Sequence, residues 1–246
     1  MLVDELLLYL FDGKPHLLTE PIASWLERSR RFAAFVDTFR NKIRKKVRVT
    51  KDQETIYDLR LELETAYLLL QEPTLRVAYE PEQSRQVRSP DFAVTYTTSL
   101  TFMVEVTRLR TVSKTEKTPS ENEGVLETER LADVIRSKLG QFLPQRANVL
   151  IVGMDALHLN QIDLQAVMLR IQQRAERNDP AFWKRYGFPD RAEFFRHYQR
   201  LSEVLVRGSE WQAGQPLIAW VNPQAKHPLP GRVRTALYGS HAQKAV

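Results

Sequence analysis

Up to about residue 71 apolar side chains recur three and four positions apart, and from residue 75 short stretches appear in which they alternate with polar ones. The opening MLVDELLLYLF suits a short amphipathic helix. Residues 20–48 read as one long basic helix with Ile22, Trp25, Leu26, Phe32, Phe35, Val36, Phe39 and Ile43 on its apolar side. A second helix covers 52–71, with Asp52 and Glu54 as acids suited to its N-terminus and Pro73 marking its end. The stretches 75–80, 91–97 and 101–107 are rich in β-branched and aromatic residues and read as strands. A polar run at 113–124 reads as a loop, 125–143 as a helix closed by Pro144, and 148–154 as a buried strand. Helices at 161–177 and 189–200 and strands at 202–207 and 216–222 complete the pattern. An α/β fold around a mixed β-sheet follows, and the connection from 107 to 148 is long enough to lay the fourth strand parallel to the third.

The register of the 91–97/101–107 hairpin is set by parity. With its turn at Thr98, Asp91 stands directly across from Glu105, on one face with Ala93, Thr95, Thr101, Met103 and Thr107. The other face carries Phe92, Val94, Tyr96, Phe102, Val104 and Val106, and a slip of one residue would put charge among them. Two adjacent carboxylates repel unless a cation lies between them, and a hydrated Mg²⁺ is a fitting guest. The competing reading makes each acid an ordinary exposed residue, or pairs it with Arg108 or Arg110.

Two helices carry charge in unexpected places. On the 125–143 helix Leu131, Val134, Ile135, Leu139 and Phe142 form an apolar arc, with Lys138 near its middle and Gln141 at its edge. A lysine there needs an anionic partner or a path to water. On the 52–71 helix Glu62 falls inside the arc of Leu59, Leu63, Ala66, Leu69 and Leu70, and Glu64 well outside it, which makes Glu62 the better candidate for a third inward acid. The plainer alternatives are a snorkelling lysine and a surface glutamate in a salt bridge.

Composition narrows the chemistry. The 246 residues include no Cys and five scattered His, which excludes disulfides, thiolate metal sites and helical zinc spacing. There is no GxGxxG, Walker-type or GxSxG motif among the nine glycines. No apolar run is long enough to cross a bilayer, and Asp4 and Glu5 stand where a signal peptide carries positive charge, so the expectation is cytoplasmic, without a membrane partner. The net charge of +6 concentrates in RNKIRKKVRVTK at 40–51, where Arg40, Lys42, Arg44, Lys45, Lys46, Arg48 and Lys51 stand against no acid within the stretch. Such a patch favours a polyanionic partner, nucleic acid before an acidic protein.

The acidic helix, Ser-Pro-Asp-Phe at 89–92 and Val-Glu-Val-Thr at 104–107 together resemble the motif series of the PD-(D/E)XK nuclease superfamily, over residues 52–154. That resemblance implies a restriction-endonuclease-like core of helix, three strands, helix and strand at 51–155. A basic helical extension at 1–50 would precede it, and additions at 156–246 would extend the same domain. It further implies cleavage of phosphodiester bonds in nucleic acid, DNA favoured, with Mg²⁺ or Mn²⁺ held by Asp91, Glu105, the Val106 carbonyl and Glu62 (or Glu64). Pro90 and Asp91 match the Pro-Asp element, and Glu105 matches the acid of the third motif. Thr107 stands where the motif has lysine, and the KLGQ stretch at 138–141 resembles a migrated form of that element, with Lys138 and Gln141 in catalytic roles. A homodimer would let two single-site protomers cut both strands. Thr107 keeps open the alternative of a non-catalytic nucleic-acid-binding protein with the same fold.

Overall fold

The computed structural model describes residues 3–81, 89–110, 123–177, 179–210, 212 and 215–241. Four helices lead: α1 (Val3–Phe11), α2 (Thr19–Arg28), α3 (Arg30–Val49) and α4 (Gln53–Gln71). Three strands follow, β1 (Leu75–Tyr79), β2 (Phe92–Tyr96) and β3 (Leu100–Arg108), then α5 (Glu123–Lys138), which tightens into a 3₁₀ turn over Leu139–Gln141. After β4 (Asn148–Met154) come α6 (Ala156–Leu159), α7 (Leu164–Glu176), α8 (Pro180–Tyr186) and α9 (Arg191–Tyr198). The chain continues through β5 (Leu201–Gly208), β6 (Ile218–Val221) and α10 (Gly231–His241).

The long helix expected over 20–48 is two helices. Ser29 leaves helical geometry (φ −138°, ψ 104°) and its hydroxyl accepts the Phe32 N–H, a local bond that competes with helix continuation and starts α3 afresh. Two residues on, the Arg31 guanidinium donates to the carbonyls of Leu70, Glu72 and Leu75. It thereby satisfies a carbonyl left open at the end of α4 and ties α3 to the first strand. The expected helix at 161–177 is the single helix α7, begun at the Asp163 cap, and α6, α8 and α10 arise outside the expected elements. The polar run expected at 113–124 lies, up to residue 122, outside the described residues.

The six strands lie in sequence order across one sheet. β1, β2 and β3 are antiparallel neighbours, β4 and β5 continue parallel to β3, and β6 returns antiparallel. This is a mixed α/β architecture. One face carries Phe92, Val94, Phe102, Val104, Val149 and Ile151 under α1–α4 and α10; the other carries Leu150, Val152, Val204 and Val206 under α5 and α7–α9. Every residue of β4 and β5 is buried, as strands covered on both sides must be. Gly153 matters for α4: a Cβ there would lie 2.6 Å from Leu61 Cδ2, so its absence lets the helix settle onto the sheet.

α4 is buried almost all round, since the sheet, α3 and α10 all pack on it. That corrects the reading of Glu64 as an outward residue. It is 3% exposed and meets Arg207 of β5 at 2.7 Å. Among the described residues, no helix is long and apolar enough to cross a membrane.

Candidate active site

The site begins where β2 stops and β3 continues. The pairs Phe92↔Val104 to Tyr96↔Leu100 follow the register expected from parity. Beyond Val104, β3 is laddered only to β4, which leaves a notch on its β2 side. The Met103 and Leu109 N–H groups bond to Ala147 and Gly153 carbonyls, so odd-numbered residues turn their backbone polar groups to β4. Even-numbered Val106 turns its N–H and its carbonyl towards the notch. Its N–H donates to Asp91 Oδ2 at 2.7 Å, and the Asp91 carbonyl in turn accepts the Glu80 N–H at 2.8 Å. Asp91 is thus held at the mouth of the notch from two sides.

Glu105 is 5% exposed and meets Lys138 Nζ at 2.8 Å. Lys138 is the last residue of α5, and the 3₁₀ turn after it brings Gln141 Oε1 to 3.5 Å from the same ammonium. The buried arc of Leu131, Ile135, Leu139 and Phe142 fixes this orientation, so the lysine in the apolar face has its anionic partner.

From the opposite face of the sheet α4 supplies Glu62. Its Oε1 lies 2.5 Å from Lys46 Nζ of α3, and the same ammonium lies 2.8 Å from Glu80 Oε1 and 4.8 Å from the Tyr79 ring centroid. Glu80 sits in left-handed backbone (φ 41°), an uncommon conformation for glutamate, while Lys42 donates to its carbonyl at 2.7 Å.

The electrostatics follow from crowding. Burial, then the carboxylates of Glu62 and Glu105, push the Asp91 carboxyl up to about 8, against the opposing pull of the Val106 N–H and Lys46. Burial also raises Glu62, although Lys46 opposes it. Burial works against the Lys46 ammonium, but Glu62 and Glu80 outweigh it and hold its pKa above the ordinary value. The Tyr79 hydroxyl is pushed well above its ordinary range by burial and by Glu62.

Three carboxylates therefore act on one another at the notch, with one lysine on each face of the sheet. Among the described residues, no three His, Cys, Asp or Glu side chains converge as a ready-made metal cage. The donor set still suits a hard divalent cation, being oxygen only: two carboxylates and a strand carbonyl, with Glu62 alongside. The upward push on the Asp91 carboxyl marks an excess of negative charge, which such a cation would relieve.

The basic stretch of α3 is not the uniform outward ridge its local sequence suggests, because the fold brings acids to it. Arg44 and Arg48 both bind Asp12, and the guanidiniums of Arg40 and Arg44 lie over the Tyr9 ring at 5.5 and 4.3 Å. Lys42 and Lys46 turn towards the notch, while Lys45 is exposed. The sequence reading missed Lys46 as a member of the site. Its signal was its place beside buried Ile43 and Val47, four residues from Lys42 on the same helix face. Glu80 and Tyr79 were missed because only their pairing across β1 and β2 brings them near Asp91.

Arg108 and Arg110, the alternative partners for the hairpin acids, are engaged elsewhere: Arg108 with Glu54 and Asp58, Arg110 with Asp58. Arg108 and Arg60 also line a separate crevice of about 290 Å³ at the C-terminal ends of β3, β4 and β5. Both arginines are matched by acids, Arg60 by Glu210 at 2.6 Å, so that crevice carries no surplus charge for a phosphate. Comparison of the chain with known protein families, with curated proteins and with solved structures finds no match, so its chemistry is read from the notch itself.

Proposed function

We propose that this chain is a divalent-metal-dependent nuclease of the PD-(D/E)XK type, in which α4, β1–β3, α5 and β4 form a restriction-endonuclease-like core. The observation that carries the proposal is the meeting of Asp91, Glu105 and Lys138 at one notch. Lys138 comes from a helix that begins after a long connection, yet its ammonium is 2.8 Å from Glu105. Asp91, Glu105 and the Val106 carbonyl would hold Mg²⁺ or Mn²⁺, with Glu62 directly or through water. The cation, when bound, supplies Lewis-acid charge to a scissile phosphate and acidity to an attacking water.

The chain's own residues do the rest. Val106 N–H fixes the Asp91 carboxylate in the notch. Lys138 contributes the positive charge that Thr107, a neutral residue on the same strand face as Glu105, does not, and it stands where phosphate oxygens would approach Glu105. Gln141 restrains that ammonium. Exposed cations of α3, Lys45, Arg40 and Arg48, would contact the backbone of nucleic acid, DNA before RNA, without reading its sequence. Pairing of two protomers would account for cutting both strands of a duplex.

The test is purified protein on plasmid DNA and on RNA, with Mg²⁺ or Mn²⁺ and with EDTA. Metal-dependent cleavage is expected, and none with either substrate would leave the proposal without support. Lys138→Ala is expected to slow cleavage by about 10²–10³-fold, the usual cost of one preorganised electrostatic group. Parental rates in that variant would remove Lys138 from the mechanism and leave the carboxylates in it.

Metal binding should also depend on pH. The Asp91 carboxyl, raised to about 8, keeps its proton in the metal-free fold at neutral pH, and a cation has to displace it. Affinity for Mn²⁺ should therefore rise by up to about tenfold per pH unit from pH 6 towards pH 8 and level off above. Calorimetry in buffers of different ionisation enthalpy should read about one proton released at pH 7. The metal-free fold responds in the opposite sense. An unfolded aspartic acid gives up its proton near 4, so stability contributed through Asp91 falls as pH rises between that value and 8. Flat metal affinity across the window would contradict the buried, crowded Asp91.

A second reading, a nucleic-acid-binding protein that has lost the reaction, is favoured by one observation. Lys46 already occupies Glu62. Absence of Mn²⁺ affinity together with salt-dependent DNA binding would establish it.

A further inference from the structure

Lys46 was grouped with the backbone-gripping cations of α3, but its position is different. Its side chain is 27% exposed and reaches Glu62, 13% exposed, at 2.5 Å. It also has somewhere else to go. Glu80 Oε1 is 2.8 Å away and the face of the Tyr79 ring lies beneath it, so an ammonium that lets go of Glu62 keeps a carboxylate and an aromatic face without moving into the apolar core. Glu80 is held ready for this by its left-handed backbone and by Lys42 on its carbonyl. The groups facing Lys46 are Glu62 from α4, Tyr79 and Glu80 from the end of β1, and Asp91 across the notch.

We infer that Lys46 is the resident counter-cation of Glu62 and sets the affinity of the notch for divalent metal, because a metal gains Glu62 only as Lys46 gives it up. This rests on the nuclease reading of the same site and adds to it a determinant on the opposite face of the sheet from Lys138. An ammonium beside the metal position repels a divalent cation and holds one of its ligands, and both effects weaken binding. In the metal-free protein the same ammonium offsets part of the push that Glu62 and Glu105 exert on Asp91.

The experiment is calorimetric titration with Mn²⁺ of the full chain and of Lys46→Gln, Lys46→Arg and Glu80→Gln, each checked by a thermal melt. Lys46→Gln should bind Mn²⁺ about tenfold more tightly, the size of effect one neighbouring charge has on a titrating site. Lys46→Arg, which keeps the charge, should stay near the parent. Glu80→Gln removes the alternative acceptor, holds Lys46 on Glu62 and should weaken Mn²⁺ binding several-fold. Should Lys46→Gln not fold, Glu80→Gln decides: unchanged affinity overturns the inference. A parent that binds Mn²⁺ and a folded Lys46→Gln that binds it no better also overturn it, while the nuclease reading stands. Binding by Lys46→Gln alone would support the inference and favour the non-catalytic reading of the parent. No binding by any of the four proteins overturns both.

Discussion

Asp91→Asn and Glu105→Gln are each expected to lower metal-dependent cleavage by at least about 10³-fold, the upper range for loss of one electrostatic group, because each acid would carry the cation itself. The amide variants are the informative ones. An asparagine oxygen can still accept the Val106 N–H that now goes to Asp91 Oδ2, so the hairpin keeps its geometry while the charge is removed. Glu105→Gln leaves Lys138 an oxygen to donate to in place of its carboxylate. Both variants should melt near the parent, and Asp91→Asn should lose the pH dependence of Mn²⁺ affinity between 6 and 8. Plasmid cleavage time courses and calorimetry read these outcomes. Cleavage by Asp91→Asn at the parental rate would mean that the notch is not the catalytic centre.

The largest stability effect should come from the other inward glutamate. Glu64 and Arg207 meet with side chains 5% and 4% exposed, and Arg207 also donates to the Gly208 carbonyl at 2.9 Å and to Thr65 Oγ1 at 3.1 Å. Arg207→Met removes the guanidinium that meets a buried carboxylate and should cost about 3–5 kcal/mol. The double replacement Glu64→Leu with Arg207→Met should cost far less than the sum of the single ones, since burying the pair offsets most of its own attraction. Urea denaturation of the four proteins measures this. A single variant within about 1 kcal/mol of the parent, where ordinary surface substitutions fall, would contradict the buried pair. Neither residue lies at the notch, so metal affinity should be unaffected where the variants fold.

Several features were legible in the sequence because they depend on local periodicity. The hairpin register followed from parity: Phe92, Val94, Phe102 and Val104 had to share a face, and the ladder from Phe92↔Val104 to Tyr96↔Leu100 has that register, although it ends one pair short of Asp91 and Glu105. Lys138 was conspicuous because a cation in the middle of an apolar helical arc needs a partner. The helix α8 was legible and still missed. Asp179 caps it, Pro180 opens it, and Gly187 closes it in left-handed backbone (φ 73°), the usual asymmetry of helix ends. Ser29 was similar: its place as a cap was open to reading, but the apolar stripe ran through it and a single helix was the simpler pattern.

Other features could not be read locally. Glu64 looked outward because a helical wheel assumes one buried face, whereas α4 lies under α3 and α10 as well as on the sheet. The cations at 40–48 looked unopposed because Asp12, Glu62 and Glu80 are distant in sequence and are brought to them only by packing. The sequence by itself determined the alternation that turns Glu105 away from the Phe102 and Val104 face and the helical arc that leaves Lys138 facing inward, since each follows from the geometry of a single element. Only the tertiary structure decided which cation meets which carboxylate, that Lys46 belongs to the notch and that burial and neighbouring acids push the Asp91 carboxyl up to about 8. Those outcomes depend on burial and on distances between elements, which no single stretch of chain contains.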